Sequence, residues 1–280
     1  MTKQPPTFQS LDVPHGTLLI EYLGQAGYRI KGDAITILID PYLSNFVVES
    51  GIGDAENFIR AFPPPETPQE LHGIDFVFIT HDHADHCDPL TLVPLVKENP
   101  GLKIICPPSA ARTLQAAGIP SSFFITPLEG QWGQAGKVAY TAIPSAHYAR
   151  EIDSVTHTNL FLGYSIKING VTLYHAGDTI LYPGMLEKLK EASSEYDMVC
   201  LPVNGRDAKR EAIGIIGNLD AAEALELTLR VKAKVLLPMH NDLFAVNHLS
   251  QGILSELAEH KAPRQRIHWL QPGELFWYVK

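Results

Sequence analysis

The chain reads as an α/β protein organised around one large core, and three observations point there. Apolar, strand-like runs open it at 17–22, 28–31 and 34–39. From Asp88 onward helix-like and strand-like segments alternate. A chain of 280 residues with 45% hydrophobic content can bury one such core without dividing, so 1–280 is read as a single domain. Neither a sequence repeat nor a low-complexity linker is evident, which fits two folded halves sharing one central site better than tethered modules.

The elements follow in order. After the third apolar run, residues 41–72 carry Gly51, Gly53 and the triplet Pro63, Pro64 and Pro65, which favours an extended or irregular loop over a helix. This stretch is read as a loop insertion, at the mouth of a pocket or free in solvent, and no substrate contact is assigned to it. The apolar run 74–79 reads as a buried strand, followed by helix-like 89–97, strand-like 103–106 and helix-like 109–117. Further strands are expected at 138–143 and 170–173. Asp220 and Glu223 have capping-box spacing and open an apolar-periodic helix running to Arg230, which leads into a strand over 235–240.

The chemistry concentrates where the 74–79 strand ends. Residues 80–86 read T-H-D-H-A-D-H, a cluster of metal-ligand types at fixed offsets and a much stronger signal than a lone H-x-H. Where the chain turns sharply out of a strand, His81 and His83 can point their imidazoles at one ion, while Asp85 and His86 face a second beside it. One short loop cannot complete two coordination shells, so further ligands are expected at other strand ends. His147 follows 138–143, Asp178 follows the 170–173 strand with Gly177 permitting a tight approach, and His240 closes 235–240.

This arrangement resembles the metallo-β-lactamase superfamily, whose pattern is H-x-H-x-D-H followed by a single His, a single Asp and a single His. The resemblance runs from about Leu18 to the C-terminus. It implies a four-layer αββα sandwich, two mixed β-sheets flanked by helices. It also implies that His81, His83 and His147 hold a first metal, that Asp85, His86 and His240 hold a second, and that Asp178 bridges them. Asp40, closing the third apolar run, matches the structural aspartate of that pattern. Residues 201–207, 214–220 and 238–244 look like the L-ascorbate-6-phosphate lactonase family. That resemblance implies lactone opening on a small phosphorylated sugar acid, two divalent ions per chain, and manganese as the metal.

Imidazole and carboxylate without thiolate suit zinc, manganese, iron or nickel, and raw affinity makes zinc the alternative to manganese. Two adjacent ions can bind a bridging water and lower its pKa towards neutrality, supplying hydroxide to attack an ester carbonyl while one metal stabilises the oxyanion. Asp85 and Asp178 are the candidate catalytic proton carriers. For a phosphate on the substrate, Asn204, Arg206 and Arg210 around Gly205 form the best cluster, since guanidinium matches phosphate oxygens bidentately. The competing reading pairs these arginines with Asp207 or Glu211, and Arg150 stands on the same footing.

Other residues carry weaker readings. His175 is placed behind the ligands or as a hydrogen-bonded strand-end histidine, and the remaining histidines have no motif around them. Cys87, Cys106 and Cys200 read as core, an odd, widely spaced set that suits a reducing compartment and hence the cytoplasm. Residues 1–10 lack a basic region followed by an apolar stretch, and no run of about 18 apolar residues lacks charge, so no membrane partner is expected. A net charge of −9 offers no footprint for nucleic acid. The expected partner is a small-molecule substrate, with self-association expected from the family's tendency to assemble. The alternative activity is a phosphodiesterase or ribonuclease using the same two-metal centre. A non-catalytic relative is disfavoured because all seven ligands are present, and a drug-hydrolysing β-lactamase is less expected still.

Overall fold

The computed structural model describes residues 7–280. The first half supplies β1 (Thr17–Gly24), β2 (Gly27–Gly32), β3 (Ile35–Ile39), β4 (Phe76–Phe78), β5 (Lys103–Ile105) and β6 (Phe124–Ile125). The second supplies β7 (Gly133–Ala135), β8 (Val138–Pro144), β9 (Leu162–Ile168), β10 (Val171–His175), β11 (Tyr196–Pro202), β12 (Ala233–Met239) and β13 (Arg266–Ile267). A last strand, β14 (Leu275–Val279), returns to the first sheet. Two seven-stranded sheets result, ordered β14-β1-β2-β3-β4-β5-β6 and β13-β12-β11-β10-β9-β8-β7. Both are mixed: in each, three antiparallel pairings give way to three parallel ones, at β3/β4 and β10/β11.

Side-chain alternation explains the layers. In β3, Ile35, Ile37 and Ile39 point into the core between the sheets, while Leu38 points to the outer face. In β11, Met198 and Cys200 face inward and Val199 and Leu201 outward. Helices cover both outer faces, as parallel strands buried on two sides require. Among the described residues the α-helices are α1 (Phe46–Glu49), α2 (Ala55–Phe58), α3 (Pro89–Glu98), α4 (Pro108–Ala116), α5 (Met185–Ala192), α6 (Ala208–Ala212), α7 (Ala221–Arg230) and α8 (Gln251–Lys261). Leu92, Leu95, Ala110 and Leu114 of α3 and α4 pack on the first sheet. Met185, Leu189, Leu225 and Leu254 of α5, α7 and α8 pack on the second. The four-layer sandwich implied by the resemblance is the architecture found.

The 41–72 stretch holds two short helices, α1 and α2, where an irregular loop was expected. Asp54 caps α2 by accepting from Asn57 N at 2.9 Å. The segment is anchored rather than free: Tyr42 and Val47 join Leu243 and Phe244 in a small core, and Arg60 donates to the carbonyls of Tyr42 and Ser44. The capping box at Asp220 and Glu223 is formed as expected. Cys87, Cys106 and Cys200 are free and buried. Among the described residues no helix is long and apolar enough to cross a membrane.

Candidate metal centre

The C-terminal ends of β3, β4, β8, β10 and β12 converge on one spot, the usual place for a site at parallel strand ends. There, ligand atoms of His81, His83, His147 and Asp178 lie within 4.8 Å of one another, and those of Asp85, His86 and His240 form a second such group. Asp178 spans the two. Its Oδ2 lies 3.7 Å from His147 Nε2, and its Oδ1 lies 3.3 Å from His86 Nε2 and 3.2 Å from His240 Nε2. Gly177 makes this placement feasible: its φ is +59°, and a Cβ there would stand 2.8 Å from both Leu162 O and Thr80 Cβ.

The imidazoles are oriented from behind. Asp40, fully buried and in the left-handed region at φ 41°, accepts from Thr80 N at 2.8 Å, Thr80 Oγ1 at 2.6 Å and His86 Nδ1 at 2.7 Å. Because the Thr80 hydroxyl spends its hydrogen on Asp40, it can only accept from His81 Nδ1, 2.9 Å away. His147 Nδ1 donates to Gly217 O at 3.3 Å. In all three rings Nδ1 is engaged outward, so the Nε2 lone pair is left for the centre.

That electrostatic demand is unmet by protein. His81 Nε2, His86 Nε2, His147 Nε2 and Asp178 Oδ1 are buried with no hydrogen-bond partner among the described residues. Buried polar atoms are rarely left so, and a divalent cation is what this donor set of imidazole and carboxylate would satisfy. The spacings fit. Around Asp178 Oδ1, Asp85 Oδ2, His86 Nε2 and His240 Nε2, the separations of 3.2, 3.3, 3.4 and 3.7 Å compare with about 3.4 Å between tetrahedral donors, each about 2.1 Å from one ion.

Proton affinities follow the same charge pattern. Burial, reinforced by His86 and His83, holds the His81 imidazole well below its ordinary range, and burial likewise lowers His147. Burial also opposes charging of His86 and His240, but Asp178 and Asp85 outweigh it, raising His86 well above its usual value and His240 to about 9. Burial similarly disfavours ionised Asp178, yet His240 and His86 hold it well below the carboxylate range. The centre draws in positive charge.

Two contributors carry no motif. Gln25, fully buried at the tip of the β1–β2 hairpin, donates from Nε2 to Asp85 Oδ2 at 2.8 Å, and the same nitrogen lies 3.0 Å from His240 Nε2. Gly217 supplies the carbonyl for His147. The turn G-Q-A-G over 24–27 is the only sequence sign of the first, and nothing local marks the second. His175 is a packed histidine, donating from Nε2 to Ala26 O at 2.9 Å and accepting from Gly177 N, so it sits behind Asp178.

The expected substrate-binding residues are not brought to the metal cavity. Arg206 forms a bidentate pair with Glu223, 2.7 Å at each nitrogen, and also donates to Asn218 O. Arg210 pairs with Asp207 and donates to Asn204 O. Both arginines line a separate depression. The reason is local: α7 and the Asp207 cap of α6 present carboxylates before any ligand could. Asn204 is buried against Asn218 and Asn247, and Arg150 is exposed. The cavity over the metal groups, about 410 Å³, is walled by Val47, Ile52, Phe58, Ile213, Ile215 and Ile216, with Asp54, Asp82 and Asn247.

A family model described as the beta-lactamase superfamily domain matches residues 36–241. The chain is 28% identical over 264 residues to a UPF0173 metal-dependent hydrolase of Archaeoglobus fulgidus, covering 93% of this chain and 99% of that one. It is 29% identical over 231 residues to one from Anoxybacillus flavithermus, covering 81% and 87%. Among solved structures, the metallo hydrolase Igni18 of Ignicoccus hospitalis superposes with a TM-score of 0.67 at 20% identity, over 94% of this chain and 99% of that one. An isothiocyanate hydrolase from Delia radicum gut bacteria gives 0.73 at 16%, over 94% and 100%. The two structural likenesses bear on the fold.

Proposed function

The chain belongs to the beta-lactamase superfamily, and from that premise we propose that it is a metal-dependent hydrolase opening a lactone or similar ester of a small molecule. The observation that carries the reading is the set of buried imidazole nitrogens without partners, aimed at the floor of an open cavity. His81, His83, His147 and Asp178 would hold one divalent ion and Asp85, His86 and His240 a second, with Asp178 shared. When bound, such ions polarise a carbonyl and lower the pKa of water.

The chain's own groups do the rest. Asp40 and Thr80 keep the His81 and His86 rings in the tautomer that offers Nε2. Asp85, the more exposed of the two candidate proton carriers at 18% against 6% for Asp178, lines the cavity. Burial disfavours its ionised form, but His86 and His240 outweigh this and keep its carboxyl well below the usual carboxylate range, so it stays ionised and is placed to relay a proton from water to the departing alkoxide. Manganese is our first choice of metal and zinc the second. Three free, buried cysteines support a cytoplasmic setting, and we expect a small-molecule substrate with no nucleic-acid or membrane partner. The proposed substrate carries no phosphate, since Arg206 and Arg210 are already paired with Glu223 and Asp207.

The test is metal content with turnover of a lactone and of a phosphodiester, after stripping and adding back manganese or zinc. Lactone opening restored by about two ions per chain, the stoichiometry of a two-metal site, supports the reading. Selective diester cleavage moves the assignment to phosphoryl transfer. His83→Ala and Asp178→Ala should each abolish metal-dependent turnover while leaving the fold intact; near-full activity in either refutes the ligand assignment.

A further inference from the structure

The cavity wall has a composition that metal chemistry does not require. Ile213, Ile215 and Ile216 fall within four residues of a surface loop, with Ile213 57% and Ile216 39% exposed. Facing them from the 41–72 segment are Val47, Phe58 and Ile52, the last 69% exposed. Isoleucines gathered on both lips of one cavity make a single apolar collar, and such a patch over a polar floor marks a contact surface. Its charged companions, Asp54 and Asp82, are acidic, and no lysine or arginine stands among the described residues lining the cavity.

The loop is built to hold that collar in place. Gly205 N donates to Leu219 O at 2.9 Å and Asn218 N to Gly205 O at 3.1 Å, closing the loop at its base. Arg206 ties the base to α7 through Glu223 and Asn218 O, and Arg210 ties α6 to Asn204 O. Tyr148 donates to Glu211 and accepts from Gly217 N, joining the loop to the strand end that carries His147. The arginines are therefore occupied in shaping the wall.

We propose that this collar selects an uncharged substrate with an apolar chain or ring, and that Ile52, Ile213 and Ile216 determine that specificity. This rests on the hydrolase reading for what happens to the bound molecule, but not for what the collar accepts. An apolar chain laid between the two lips removes its own surface and that of the isoleucines from water. A phosphate or carboxylate held between the lips, away from the metal floor, meets Asp54 and Asp82 and no lysine or arginine among the described lining residues, and loses hydration without a partner there.

The experiment is calorimetric titration of the full, metal-loaded chain with acetohydroxamate, octanohydroxamate and an eight-carbon hydroxamate ending in a phosphonate. The hydroxamate anchors at the metal and the tail reports on the collar. Octanohydroxamate should bind tighter than acetohydroxamate by about tenfold or more, in line with burial of several methylenes, and the phosphonate tail should bind more weakly than the plain one. The chain-length ratio should collapse in the I213S/I216S double variant and shrink in I52S on the opposite lip, so misfolding of one variant does not decide the outcome. Affinity independent of chain length, a phosphonate tail that binds more tightly, or an unchanged ratio in both variants overturns the proposal. A clear chain-length effect without turnover of any lactone or ester would instead remove the hydrolase reading, and lactone opening with no chain preference would remove the collar.

Discussion

At the residue scale, the centre depends on groups that never face the substrate. Asp40 serves three donors at once, so its loss frees the His86 ring, the Thr80 hydroxyl and, through that hydroxyl, His81. Replacement of Asp40 by Ala should weaken metal affinity by about 10- to 100-fold, the range for groups that orient ligands. Competition titration with a chelating dye checks this, and unchanged affinity would show that the rings are held by packing alone. Gln25 bears on one group only. Gln25→Ala removes the donor to Asp85 Oδ2 and should weaken the second ion by about tenfold while the first stays as in the wild type. Stepwise titration separates the two, and equal weakening of both ions would refute so local a role.

At the element scale, the backbone must deliver the ligands at an exact depth. Gly177 is the tightest such point, since its positive φ and the nearby Leu162 carbonyl leave no room for a side chain. Gly177→Ala should lower unfolding free energy by about 2 kcal/mol, from left-handed strain and the clash together, and should displace Asp178. Denaturant unfolding reads the first effect and metal stoichiometry the second. The 41–72 segment shows the same logic on a larger piece of chain. Its prolines and glycines prevent long helices, yet Tyr42, Val47, Phe58 and Phe62 give it apolar anchors against Leu243 and Phe244. That anchoring presents Val47, Ile52 and Phe58 to the cavity.

At the scale of the whole molecule, a buried charge cluster joins that segment to the first sheet. Arg29 of β2, 1% exposed, contacts Glu21 of β1 at 2.5 Å and Glu66 at 2.8 Å, and its guanidinium lies over the Phe8 ring. Burial is the largest influence on Glu21. With Glu66 adding like charge, it outweighs Arg29 and raises the carboxyl from 4.5 to about 7. A carboxyl whose folded pKa exceeds its unfolded one binds more protons when folded, so its contribution to stability is present below about 4.5 and is lost as pH rises through about 7. Stability of the wild type should therefore fall relative to Glu21→Gln between pH 5 and 8, by denaturant titration at each pH. Parallel profiles for the two proteins would show that Glu21 stays ionised throughout.

What the sequence by itself determined was local and periodic. Alternating apolar runs marked β1, β2, β3, β8 and β12, the Asp220–Glu223 spacing marked the cap of α7, and T-H-D-H-A-D-H marked a metal loop, because each is set by neighbours a few residues away. The single ligands His147, Asp178 and His240 were legible from their place at strand ends, with the pattern of a known superfamily as guide. Tertiary structure decided the partners. Arg206 and Arg210 looked like phosphate contacts until α7 and the α6 cap placed Glu223 and Asp207 against them, and Ile52 met Ile213 and Ile216 across a cavity no sequence window spans. Gln25 reached Asp85 from 60 residues away and His240 from 215. Contacts of that range are set by how the two sheets pack, and packing is a property of the whole core rather than of any segment.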